Sequence, residues 1–213
     1  MTTAPSAPDL SSAGPLLREA LLRPHGILAR KGRHEDARWL PIAALYGAML
    51  LPVAFASSAD SKFFPLWTNP ITWVAVGILI GLFWIQAIAF PATWIGHALG
   101  GRGTFASSRF SVALSLLPCC FLLFSYWLLR LTAQPTIASW CLVIGWPIAA
   151  FWSLRNLRLC LIHVHRTSSS RARATAAFTM SWGVWTSLLI GLIPHAIVGI
   201  AIAVQGALWN AAG

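Results

Sequence analysis

Ile71–His97 reads ITWVAVGILIGLFWIQAIAFPATWIGH, 27 residues without an Asp, Glu, Lys or Arg among them. A hydrocarbon core about 30 Å thick is crossed by about 20 apolar residues rising 1.5 Å each. The stretch is therefore a membrane span with length to spare, which tilt or a kink at Pro91 would absorb. Hydrocarbon offers no water to peptide groups, so the span has to be helical. Four further stretches follow the same logic: Trp39 to Ala56, Val112 to Leu131, Ile137 to Leu154 and Thr179 to Leu208. Polar breaks over Ser57 to Asn69, Gly100 to Arg109, Thr132 to Thr136 and Arg155 to Arg173 separate them. The sequence thus predicts an all-α polytopic membrane protein, a bundle of five transmembrane helices. Each carries a proline: Pro41 and Pro52, then Pro91, Pro118, Pro147 and Pro194.

Composition agrees with this class. The 213 residues are 57% hydrophobic and only 9% charged, with a mean hydropathy of +0.71, whereas globular chains carry about 25% charged residues. The net charge of +10 does not indicate nucleic acid in so apolar a chain. It belongs on one face of a bilayer, where it sets orientation and meets anionic lipid. Thirteen of the fifteen basic residues fall in alternate segments, leaving Lys62 and Arg130 for the other face. This places the N-terminus in the cytoplasm and the C-terminus across the membrane. The domain layout is a cytoplasmic tail over 1–38, a five-helix transmembrane domain over 39–208 and a short extracytoplasmic tail over 209–213. The first twelve residues lack the charged and apolar regions of a secretory signal. From Pro15 to Lys31, leucine pairs alternate with Arg18 and Arg23, the pattern of a helix lying in the interface with its arginines on lipid phosphates. Arg155, Arg158 and Arg171 are read as lipid-facing for the same reason.

Few residues carry chemistry. Cys119, Cys120, Cys141 and Cys160 lack metal or redox spacing and read as apolar packing. His195 lies within the fifth apolar stretch, four residues after Gly191. An ionisable group at membrane depth is a candidate site, and imidazole is an axial ligand for haem or a chlorin. The structural alternative is a neutral His195 bonded to another helix, for instance to Gln86, and it is the one expected, with no cofactor. No carboxylate falls inside any predicted span, and no Ser-His, paired-Asp or H-E-x-x-H arrangement is visible, so no enzymatic activity is expected. A transporter or channel would have to line its path with Gln86, Ser115, Ser125, Thr186, Ser187 and His195. Gly77 and Gly81 form a G-x-x-x-G pair that admits another helix backbone closely. Gly100, Gly101 and Gly103 suit a loop with φ > 0 or close backbone approach.

The run Gly100-Gly-Arg-Gly-Thr-Phe105, followed by Ser115 and Pro118, resembles the second cytoplasmic loop and next helix of the Yip (Ypt/Rab-interacting) family. Leu21-Leu-Arg-Pro-His-Gly-Ile-Leu28, Trp146-Pro147 and the basic Leu154–Arg158 and Arg171–Ala174 segments are similar to further family elements. The resemblance implies a five-helix protein with a cytoplasmic N-terminus, here of a bacterial inner membrane. It implies an accessory or scaffold role beside another integral membrane protein or a second copy. Gly77, Gly81, Gly100, Gly101, Gly103 and Pro118 would then serve helix packing or partner binding. GTPase recruitment is not implied, because the eukaryotic Asp-Leu-Tyr-Gly-Pro-like signature is missing.

Overall fold

A computed structural model of the chain describes residues 13–30, 39–55, 70–132 and 135–186, and all regular structure among them is helical. In chain order the helices are α1 (Ala13–Leu22), α2 (Pro24–Arg30), α3 (Trp39–Phe55), α4 (Pro70–Ala98), α5 (Phe105–Ser115), α6 (Leu117–Leu131) and α7 (Pro135–His165). Residues 169–186 form a further helix, α8.

Three helical stretches among the described residues are long and apolar enough to cross a membrane: Val74–Ala98, Phe105–Leu131 and Thr136–His165. This corrects the five-span bundle. The first predicted span is α3, whose 17 residues reach only about 26 Å at 1.5 Å each, short of the hydrocarbon thickness. Of the fifth, Thr179 to Leu208, only the start is described, and His195 and Ser187 lie outside the described residues.

The surviving spans also differ from their predicted ends. The third begins at Phe105, nearly two turns before Val112, because Thr104 and Ser107 form a reciprocal cap. Thr104 Oγ1 accepts from the Ser107 N–H at 3.2 Å, and the Thr104 N–H donates to Ser107 Oγ at 3.0 Å. Two of the orphan donors of a helix start are satisfied there. Within this span the helix is interrupted at Leu116, two residues before buried Pro118. Proline has no N–H, so the Leu114 carbonyl loses its ordinary partner. The fourth predicted span continues past Leu154 to His165. Leu157, Cys160 and Leu161 are fully buried while Arg155 is exposed, so the apolar side continues along an unbroken helix.

Close packing explains the glycines of α4. A β-carbon on Gly77 or Gly81 would overlap backbone of Gly47 or Ala43 on α3, and one on Gly47 would overlap Gly77 and Gly81. The G-x-x-x-G pair thus seats α3 within the same chain. Beside this contact Tyr46 stacks on Trp84, with centroids 5.1 Å apart. The N-terminal pair α1–α2 is tied to α7 by one carbonyl: Leu21 O accepts from Trp152 Nε1 and Asn156 Nδ2, both at 3.1 Å. A carbonyl in the last turn of α1 has no partner within its own helix, so α7 supplies the cap.

Candidate functional site

The end of α4, the loop to α5, the end of α7 and the start of α8 meet at one end of the bundle. At their junction sits His165, 1% exposed. β-Carbons on Gly96, Gly101 or Gly103 would each fall on the His165 side chain, and one on Gly101 would also meet the Gly96 carbonyl. The glycines therefore form a cradle whose missing side chains are replaced by one imidazole. Gly100 makes the turn that brings the loop back, with φ +84°, a conformation glycine adopts without steric penalty.

Hydrogen bonds close the cradle. The Gly103 N–H donates to His165 Nδ1 at 3.3 Å, and His165 Nε2 lies 3.3 Å from Ser108 Oγ. Nδ1 must carry a lone pair to accept from an amide, so the ring is the neutral Nε2–H tautomer with Ser108 as acceptor. The Arg102 N–H donates to the His165 carbonyl at 3.1 Å, capping α7. His97, T-shaped to His165 with centroids 6.0 Å apart, bonds through Nε2 to the Gly103 carbonyl. Arg171 of α8 donates to the Leu99 carbonyl at 3.0 Å. Four chain segments are held by groups that converge on one histidine.

The other sequence candidates lie elsewhere. Arg109, predicted in the loop, is on α5 with its guanidinium 5.1 Å from both the Trp39 and Phe105 ring centroids. Its Nη1 reaches Gln86 Oε1 at 3.5 Å, so the side chain suggested as a partner for His195 is engaged by an arginine. Ser115, Ser125 and Thr186 each donate to carbonyls of their own helix. Cys119 lies 3.4 Å from Ser153 Oγ, and all four cysteines are free. Among the described residues no group of three or more His, Cys, Asp or Glu is placed to hold a metal. Arg18 and Arg23 on and after α1 are exposed, as are Arg155 and Arg171, while Arg158 is half-buried and bonds Ser169 Oγ.

The glycine loop is visible in the sequence, but its occupant is not. The available signal is a histidine closing a helix end whose polar residues, from Arg155 onward, read as a loop. The fold and its ends define an all-α, polytopic integral membrane protein. Comparison with protein-family models, curated proteins and solved structures returns no match.

Proposed function

We propose that the protein is a non-enzymatic, Yip-like scaffold or accessory subunit of a bacterial inner membrane, with its basic end in the cytoplasm, and that it binds another integral membrane protein along α7. The observation that carries this reading is the uncovered flank of that helix. Only 17% of the most apolar window of Thr136–His165 is buried within the chain, against 56% for Phe105–Leu131. Trp140, Val143, Ile144, Ile148 and Phe151 are all more than half exposed there. Lipid satisfies apolar side chains as well as protein does, so association in a bilayer relies on packing shape. A long, aromatic-studded helix on a bundle held rigid at one end offers such a shape. Orientation follows from charge: Arg102, Arg166, Arg171 and Arg173 cluster at the cradle end, while Arg130 closes α6 at the other. Basic residues are retained on the cytoplasmic side.

A photo-crosslinking amino acid placed at Val143 in living cells tests the partner. One discrete protein adduct is expected, absent when the probe sits at Phe83 of α4. Labelling of lipid alone at Val143 would overturn the scaffold reading.

A further inference from the structure

Leu159, Ile162, His163 and Arg166 line a cavity of about 490 Å³. Their spacing of three, four and seven residues puts them on one stripe of α7 and its cap. Leu159 and Ile162 are half-buried, whereas His163 and Arg166 are exposed at the end of the membrane-crossing stretch. Seven residues of helix rise about 10 Å. The stripe therefore runs from acyl-chain depth, where its wall is apolar, to headgroup depth, where it ends in two nitrogen-bearing side chains. That is the order of parts in a phospholipid.

The backbone of Arg166 supplies a second observation. Its φ of +52° makes it the one non-glycine residue with positive φ among those described. It occupies the left-handed position after a helix that glycine ordinarily fills. Side chains rarely hold this conformation without a compensating role, and such strain gathers at ligand sites. Here it holds a guanidinium over the cavity. Among the described residues neither His163 nor Arg166 is paired to another side chain. The negative end of the α7 dipole would oppose an anion, but the positive start of α8 adjoins it, which leaves the Arg166 guanidinium to decide. Glu19 is the only acidic residue among those described, and among the described residues no carboxylate lines the cavity to receive a choline or ethanolamine head.

We infer that this stripe is a binding site for one phospholipid with an anionic headgroup, its phosphate held by Arg166 and His163 and its upper acyl chain laid on Leu159 and Ile162. The site rests on membrane embedding alone and is independent of the scaffold reading. Native mass spectrometry of the full chain in detergent, titrated with phosphatidylglycerol or phosphatidylcholine, tests it. One phosphatidylglycerol should bind about tenfold more tightly than phosphatidylcholine, and R166Q/H163Q should remove that preference. R166K should keep it, and so should R130Q at the opposite end. R166G separates binding from folding: it should raise the melting temperature by relieving the backbone and still lose the lipid preference. Equal binding of the two lipids by the unaltered chain would overturn the site. So would an equal loss in R130Q, or displacement of the lipid by millimolar inorganic phosphate, which would mark a soluble-anion site.

Discussion

At the scale of single residues, His165 organises the end of the bundle, and its neutral form is dictated by what surrounds it. An amide donor at Nδ1 and a hydroxyl at Nε2 leave room for one ring proton. A second proton, at Nδ1, would face the Gly103 N–H and break that bond. The three glycines around the ring have no freedom to grow. Gly96→Ala should therefore lower stability by about 1–3 kcal/mol, the usual effect of overfilling a packed site. Because the added methyl would meet the imidazole itself, the loss should shrink in the Gly96→Ala/His165→Ala double variant, with a coupling of at least about 0.5 kcal/mol. Thermal unfolding of the four proteins in one detergent measures it. Additive losses would mean that the ring is not what the glycine accommodates.

Helices α1 and α2 are held to α7 by few groups, so this attachment is open to dissection. Asn156 is fully buried and spends its amide on Leu21 O, beside Trp152 Nε1. A single net hydrogen bond contributes roughly 0.5–1.5 kcal/mol, which corresponds to up to about tenfold in a local opening equilibrium. The Arg23–Pro24 bond resists trypsin, whereas exposed Arg18 on α1, followed by Glu19, is a tryptic site. Asn156→Ala should speed cleavage there severalfold while leaving cleavage at Arg130 unchanged. Equal cleavage in both proteins would show that the N-terminal pair is held by apolar contacts alone, through residues such as Leu28 and Ala20.

Across the whole molecule, the apolar run Ile71–His97 was legible because hydrocarbon thickness imposes its length, and α4 follows it within a residue at each end. The glycines of the α4–α5 loop were legible as special backbone. Their purpose was not, because His165 lies more than 60 residues further on and nothing in one sequence links the two. The end of α7 was misread for a definite reason. Arg155 and Arg158 read as a helix end, although buried Leu157, Cys160 and Leu161 continue its apolar side with helical spacing. Trp39 to Ala56 reads as a span on hydropathy, but α3, its 17-residue helix, falls short of the bilayer.

The α4–α5 and α7–α8 connections share one end of the bundle, with the α6–α7 connection at the other. Arg102 and Thr132 are exposed in the α4–α5 and α6–α7 connections, and Ser169 is exposed at the first residue of α8. Arg102→Cys, Ser169→Cys and Thr132→Cys, each in a chain whose four native cysteines are alanine, report this arrangement to a membrane-impermeant thiol reagent. The first two should react only from the cytoplasmic side and Thr132→Cys only from the opposite side. Reaction of Arg102→Cys and Ser169→Cys from different sides, or of Thr132→Cys from the same side as both, would contradict it.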